Sequence, residues 1–284
     1  MSRVGIVTDS TNCLSPEIIK EYDIRVVPMV VVIEGKSYRD LVDITPAEFY
    51  PLFKGLKEMP TTSAASPGDF TNAFAELARV TDSIVCIVVS KILSATFGAA
   101  EQARETVQSE NHGLKIEIVD SKNSQGALGF IALEAARAAQ AGKSLAEVVA
   151  VAQDMVPRVK YVAVLDTLKY LMKLGRAPKT AIIGEVLQVK PFIGMVGGTG
   201  LVESLGKTRG KQKAMVKMVD MVKDYVDSDK PLHVIVHYSD RIEEGEELKK
   251  LVTSKYNCTE VYMTEYTPVM ASATGPMVGV AFYA

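Results

Sequence analysis

The sequence contains few cysteines, and none is placed for a disulfide framework or a metal site. Cys13, Cys86 and Cys258 lie far apart along the 284-residue chain. An odd number of cysteines cannot form a complete disulfide set, which favours a reducing, cytoplasmic setting. His233 and His237 have the spacing of helical metal ligands, but the residues around them alternate as in a strand, so no metal cofactor is expected.

The chain also lacks an excess of charge and a long apolar run. Its formal net charge is −2 at pH 7, which gives no field that would concentrate nucleic acid at the surface. No apolar stretch approaches the roughly 18 residues needed to span a bilayer, and the first residues do not form a signal peptide. We therefore expect a cytoplasmic globular protein with no nucleic-acid partner and no stable membrane insertion.

Motifs of catalysis are scarce as well. No Gly-x-Ser-x-Gly sequence occurs, and no serine has a base evident beside it. Gly206-Lys207-Thr208 has the form of the end of a P-loop, but no glycine stands at the required upstream position. Nucleotide binding through this segment is therefore not expected, and the serines are interpreted as hydrogen-bonding groups rather than nucleophiles.

The sequence does contain a regular succession of short β-branched runs. They lie at residues 4–8, 84–89, 115–119, 161–165 and 232–237, and each ends in polar residues. Helix-start signals separate the early runs, among them the capping boxes at Thr45 and Ser144 and the Ser66-Pro67 pair. This alternation over about the first 155 residues predicts a parallel sheet with helices on both faces.

The second half of the chain predicts a different architecture. Short strands at residues 192–196 and 201–205 flank the glycine-rich residues 197–200, which is typical of an antiparallel hairpin. Strands near residues 260–264 and 278–283 would extend that sheet. The predicted class is α/β, with a parallel α/β domain at residues 1–157 that carries the ligand-binding loops. A second, α+β domain with an antiparallel sheet is predicted at residues 158–284.

Two hydroxyl-rich segments suggest an anion site. The first is residues 60–70, in which four hydroxyl side chains lie between two prolines. They belong to Thr61, Thr62, Ser63 and Ser66. The second is Ser94 with the amide of Ala95, ahead of an alanine-rich helix whose N-terminus would attract negative charge. Serine and threonine also cap helices that bind no ligand, so the residue types alone leave both interpretations open.

A short amphipathic helix at residues 168–174 presents a candidate cation. It stops at Gly175, and Arg176 follows immediately. An arginine at this place could pair with a carboxylate or phosphate, or it could be a solvated helix end.

These segments make the chain similar to the DegV family of bacterial fatty-acid-binding proteins over nearly its whole length. The resemblance rests on residues 4–10, 60–70, 90–96, 119–122 and 168–176, on Lys190-Pro191 and on Thr274-Gly275-Pro276. It implies a two-domain α/β protein that buries one long-chain fatty acid, such as palmitate, in a cavity between the domains. Most of the twelve methionines are expected in the core and some along the acyl tail.

The same resemblance assigns roles to individual residues. Thr62 and Ser94, with the Ala95 amide, would hold the carboxylate, and Arg176 would belong to the site. Thr61 and Ser63 would support the loop around Thr62. The fatty acid would be the ligand, and no further cofactor is implied.

Some relatives serve as the acyl-carrying subunit of a two-component fatty acid kinase and present the carboxylate to an ATP-binding partner subunit. In them an arginine matching Arg176 and a histidine before the Thr-Gly-Pro tripeptide are associated with phosphoryl transfer. This chain has Ala273 at the histidine position, Leu174 where a glycine is usual and Ala95 where glycine is common. We therefore expect a lipid-binding protein rather than an enzyme, with a kinase subunit or a weak Ser94 esterase as alternatives.

Overall fold

The computed structural model describes residues 3–179, 188–227 and 229–284. In chain order the strands are β1 (Gly5–Asp9), β2 (Ile24–Val27), β3 (Val30–Ile33), β4 (Lys36–Arg39), β5 (Thr61–Ser63), β6 (Ser83–Val88), β7 (Lys115–Asp120), β8 (Lys160–Leu165), β9 (Val189–Met195), β10 (Glu203–Arg209), β11 (Leu232–Tyr238), β12 (Cys258–Glu265) and β13 (Met277–Tyr283). The α-helices are α1 (Pro16–Glu21), α2 (Pro46–Gly55), α3 (Pro67–Leu77), α4 (Thr96–Glu110), α5 (Gln125–Gln140), α6 (Leu145–Arg158), α7 (Lys169–Lys173), α8 (Lys211–Met221), α9 (Ile242–Lys255) and α10 (Pro268–Thr274).

The first sheet is parallel and has the strand order β2-β1-β6-β7. Its central strand β6 is apolar along its length because the helix pairs α3 with α4 and α5 with α6 pack on the sheet. The predicted parallel sheet flanked by helices is confirmed.

The second sheet has the order β10-β9-β8-β13-β11-β12. The predicted hairpin is confirmed, since β9 and β10 pair antiparallel around the glycine-rich connection. The predicted antiparallel sheet is present in the pairs from β10 to β11, and one edge differs, because β11 and β12 are parallel. Helix α9 connects these two strands, and a helical crossover returns the chain in its starting direction. The sheet is therefore mixed.

A third sheet has three antiparallel strands in the order β4-β3-β5. It was not predicted from the sequence. It interrupts the predicted alternation of strand and helix in the first half. Residues 61–63, interpreted as part of a loop, form β5, in which Thr62 pairs with Val31 of β3. Threonine favours strands, but three residues without apolar alternation are too short to predict one, and the partner strand specifies β5.

Helix α5 joins the two halves of the chain. It contacts β1 and β6 of the parallel sheet and β8, β11 and β13 of the mixed sheet, so 13 of its 16 residues are buried. Its many alanines and glycines let both sheets approach the helix closely. A β-carbon at Gly129 would lie 2.5 Å from the carbonyl oxygen of Asn12.

The chain therefore has two α/β domains that share buried apolar contacts across α5. The predicted boundary after residue 157 falls in the last turn of α6, just before β8, and remains a prediction. No helix in the described part of the chain is both long and apolar enough to cross a membrane.

Candidate functional site

A cavity lies between the two domains. It contains about 470 Å³ of space between atoms, part of which is open to solvent. Its apolar wall consists of Met29, Val89, Leu93, Leu171, Met195, Val202, Val269, Met270 and Ala273. Its polar wall consists of Thr11, Ser94, Ser124, Gln125, Arg176 and Thr274. Three methionines are on the wall, and the polar groups are few, as suits a ligand that is mostly apolar.

The carboxyl ends of β1 and β6 form one side of this cavity. Asp9, at the end of β1, accepts hydrogen bonds from the Thr11 amide at 2.9 Å, the Thr11 hydroxyl at 2.5 Å and the Val89 amide at 2.7 Å. Burial raises the pKa of Asp9, while these three donors act in the opposite direction. Asp9 thus fixes two cavity-lining segments relative to each other.

Ser94 lies on the turn that leads into α4. Its hydroxyl oxygen is 2.8 Å from the Thr96 hydroxyl and accepts from the Thr96 amide at 3.3 Å. The N-cap residue of α4 is Ala95, which is exposed and offers no side-chain oxygen, so the helix has no side-chain cap bond. The sequence prediction that α4 starts near Ser94 is correct to within two residues.

The second hydroxyl of the predicted site belongs to Thr62, which β5 holds beside β3. Successive side chains of a strand point to opposite faces, so Thr61 and Ser63 point away from the face of Thr62. A contact of either residue with a ligand therefore remains a prediction. Ser66, farther along the same segment, caps α3 by accepting from the Asp69 amide at 3.1 Å.

Arg176 follows α7 in a Schellman turn, as predicted. Gly175 has φ of +67°, and its amide donates to the Met172 carbonyl at 3.1 Å while the Arg176 amide donates to the Leu171 carbonyl at 2.8 Å. The turn directs the guanidinium toward β5, where Nη1 donates to the Thr62 hydroxyl at 3.3 Å. Two residues that are 114 positions apart in sequence are thus brought together.

The charge of Arg176 has no counter-ion within the part of the chain that the structure describes. Its side chain is half-buried, and burial lowers the pKa of the guanidinium, although an arginine remains protonated at neutral pH. A partly desolvated cation beside an apolar wall favours an anion as its partner.

Two parts of the cavity wall were not singled out from the sequence. One is Ser124 and Gln125, where α5 begins after β7. Like Ser94, they stand at the N-terminus of a helix, so the argument that placed Ser94 in the site could have included them. The other is the first part of α10, ahead of Ala273, where Val269 and Met270 line the cavity and the Val269 amide donates to Asp40 Oδ1 at 3.0 Å. Ala273 of α10 lines the cavity at the position where the resemblance places a histidine.

The described residues offer few groups that could support catalysis or bind a metal. No group of three candidate metal ligands occurs among them. His233 and His237 lie on β11 with separate partners, Glu260 at 2.7 Å and Thr264 at 2.8 Å. Burial lowers the pKa of His237 to about 3, so it is neutral. The Ser94 hydroxyl forms a hydrogen bond with Thr96. Among the residues that the structure describes, it has no histidine or carboxylate partner.

Comparison with known proteins identifies the family to which this architecture belongs. A family model described as "Uncharacterised protein, DegV family" matches residues 3–284. The chain belongs to the DegV family. A DegV domain-containing protein of Caldanaerobacter subterraneus subsp. tengcongensis is 33% identical over 284 residues, which cover 100% of this chain and 99% of that protein. The family predicted from the sequence is confirmed.

Solved structures of similar proteins have the same fold. A stearic acid-binding protein from Eubacterium ventriosum superposes with a TM-score of 0.91 at 26% identity, covering 99% of this chain and 98% of that one. A Thermus thermophilus DegV family protein described for its fatty acid binding has a TM-score of 0.88 at 28% identity, covering 99% of both chains. The predicted two-domain α/β class is therefore confirmed.

Proposed function

We propose that this DegV family protein binds one long-chain fatty acid, such as palmitate, in the interdomain cavity. The carboxylate would lie beside Arg176, Thr62 and Ser94, near the Ala95 end of α4, and the acyl tail would follow the apolar wall. One observation carries the proposal: the half-buried Arg176 guanidinium donates to a neutral hydroxyl beside an apolar cavity and has no described carboxylate partner. The fatty acids bound by the solved relatives support the same ligand class.

The energetics favour an amphipathic ligand. Burying about 14 methylenes at roughly 0.8 kcal/mol each gives about 11 kcal/mol of gross stabilisation. Association and ordering cost about 4–15 kcal/mol, so tail burial can carry most of the affinity. The head group then needs enough donors to avoid an unpaired buried carboxylate, and a guanidinium with two hydroxyls supplies them.

The same residues support a role in holding the acyl chain rather than in its chemistry. Ala273 offers no side-chain nitrogen on the cavity wall, and the Ser94 hydroxyl bonds to Thr96 rather than to a base. We infer a function in lipid transport or fatty acid metabolism. Phosphorylation of the bound acid by a separate kinase subunit remains the alternative that the resemblance implies, and a cytoplasmic location remains a prediction from the sequence.

Organic extraction of the purified protein followed by mass spectrometry tests the proposal. We expect close to one long-chain acyl group per chain, or stoichiometric uptake of palmitate after delipidation. A protein that carries no acyl chain and takes up no palmitate would refute the proposal. Hydrolysis of an acyl ester that is lost in Ser94→Ala would favour the esterase alternative instead.

A further inference from the structure

The N-terminus of α5 forms a second polar part of the same cavity wall. Ser124, the N-cap residue, and Gln125, the first helical residue, both line the cavity. Ser124 makes no side-chain cap bond, and among the residues that the structure describes its hydroxyl donates only to the thioether sulfur of Met270, at 3.8 Å. Sulfur is a weak acceptor, so this hydroxyl is poorly paired, and no side-chain oxygen of Ser124 caps the first amides of the 16-residue helix.

Gln125 differs from the other polar residues of the wall. It is 5% exposed, and its Oε1 is buried with no hydrogen-bond partner in the described ranges. By contrast, the Thr11 hydroxyl donates to Asp9 at 2.5 Å and the Thr274 hydroxyl donates to the Met270 carbonyl at 2.9 Å. An unpaired buried acceptor is costly, and proteins retain few of them. A ligand that supplies the missing donor would remove this cost.

We propose that Gln125 binds a hydroxyl group carried on the acyl chain, so that the cavity favours hydroxylated long-chain fatty acids over the unsubstituted acids. The inference rests on the proposed function, in which Arg176 and Ser94 hold the carboxylate. Gln125 lies on a different element from either of them, and it is neutral, so it complements a neutral polar substituent rather than a second charge.

A hydroxyl fits this position whichever way the carboxamide is oriented. It can donate to Oε1, or it can accept from Nε2 if the amide is turned by a half rotation. A carbon–carbon double bond offers neither a donor nor an acceptor. Hydroxylated acids are therefore the class of acyl chain that the side chain can distinguish from saturated and unsaturated ones.

The test is a competition series with delipidated protein. Stearate is compared with monohydroxystearates that carry the hydroxyl at successive positions along the chain. Because every isomer loses similar hydration, comparing positions isolates the contact with the protein. We expect one position to bind about tenfold more tightly than those farther along the chain on either side. In Gln125→Met this positional advantage should disappear, so that the isomers bind with similar affinities.

Gln140→Met, the same substitution at the exposed last residue of α5, is the matched control and should keep the positional preference. The series on the wild type tests the inference even if Gln125→Met does not fold. The assignment of Gln125 would be overturned if stearate binds but no hydroxyl position along the chain is preferred among the isomers. A positional preference that survives in Gln125→Met would overturn it as well. Failure of stearate and every isomer to bind would overturn the proposed function, and this inference with it.

Discussion

At the scale of the residue, the position of Arg176 explains why a protein of this composition would bind an acid. Its guanidinium donates to Thr62 at 3.3 Å and is partly removed from water beside an apolar wall. A charge so placed costs free energy in the unliganded protein. A carboxylate ligand would offset that cost, so the residue should favour binding at the expense of stability.

Replacing Arg176 by methionine tests whether this residue favours ligand affinity at the expense of stability. Arg176→Met keeps an unbranched apolar stem and removes the charge, so palmitate should bind at least about tenfold more weakly, since hydrogen bonds to charged groups contribute about 1.5–3 kcal/mol. The melting temperature of the unliganded protein should be unchanged or higher. Calorimetric titration and thermal melting measure the two effects. Arg25→Met, at an exposed arginine of β2, is the control. Unchanged palmitate affinity in Arg176→Met would contradict the account.

The two threonines of β5 provide a second comparison. Thr62→Val removes a hydroxyl while keeping the side-chain shape, and we expect palmitate affinity to fall about fivefold to tenfold. Thr61→Val makes the same change on the opposite face of the strand and should have little effect. Equal losses in the two variants, measured by titration, would mean that strand alternation does not select the ligand-binding hydroxyl.

At the scale of the element, helix α5 sets the distance between the two sheets. Gly126, in its first turn, has so little space that a β-carbon there would overlap Nε2 of His237 and touch the Ala281 side chain at 3.0 Å. His237 is fully buried and held by Thr264, so it cannot move away without breaking a hydrogen bond. Close packing of α5 therefore depends on glycine at this position.

Gly126→Ala should destabilise the protein by about 1–3 kcal/mol, the usual cost of overpacking. Gly98→Ala is the matched control, because Gly98 lies in α4 with open space around its α-carbon. That change should be neutral or should stabilise by up to about 1 kcal/mol, since alanine is the better helix former. Denaturant unfolding measures both. A neutral Gly126→Ala would show that the sheets can separate at no cost.

Element type was more predictable than strand pairing. The β-branched runs at residues 84–89 and 115–119 and the helix stop at Gly175 are local signals, and the structure bears them out. Strand β5 has only three residues and no apolar alternation, so the periodicity of the sequence could not identify it, and its pairing with β3 specifies it. Gln125 was missed for a similar reason. Its importance comes from an unpaired buried oxygen on the cavity wall, which only the assembled structure reveals.

At the scale of the whole molecule, contacts across the domain interface form the cavity. The Ser90 hydroxyl donates to the Gly200 carbonyl at 2.8 Å, and the Asp40 carboxylate accepts from the Val269 amide at 3.0 Å. Each contact joins the first domain to the second beside a cavity-lining segment. A fatty acid in the cavity would touch both domains and would stabilise their arrangement, by about 2.7 kcal/mol when the free ligand is at 100 times its Kd.

Asp40 should make the stability of the molecule depend on pH. Burial, with a smaller contribution from the charge of nearby Asp9, raises the pKa of Asp40 to about 7. The folded state therefore holds the proton more tightly than the unfolded chain, and this stabilisation is lost as pH rises from about 4 through 7. Asp40→Asn, which resembles the protonated side chain, should gain stability relative to the wild type over that window. Each tenfold change in proton affinity corresponds to about 1.4 kcal/mol, so the total gain is on the order of 4 kcal/mol.

Unfolding by urea at a series of pH values measures this difference. Comparing the variant with the wild type cancels the other titrating groups, including His237, whose lowered pKa affects stability in the acid range. Parallel stability profiles for the two proteins between pH 4 and 8 would show that Asp40 stays ionised when it is buried.

The crystal structure of the delipidated protein soaked with palmitate tests the central claim most directly. We predict one palmitate per chain in the interdomain cavity, with its carboxylate within hydrogen-bond distance of Arg176 and of the Thr62 or Ser94 hydroxyl. The acyl tail should contact Met29, Met195 and Met270. A carboxylate bound away from Arg176, or a cavity that stays free of palmitate at saturating concentration, would contradict the account.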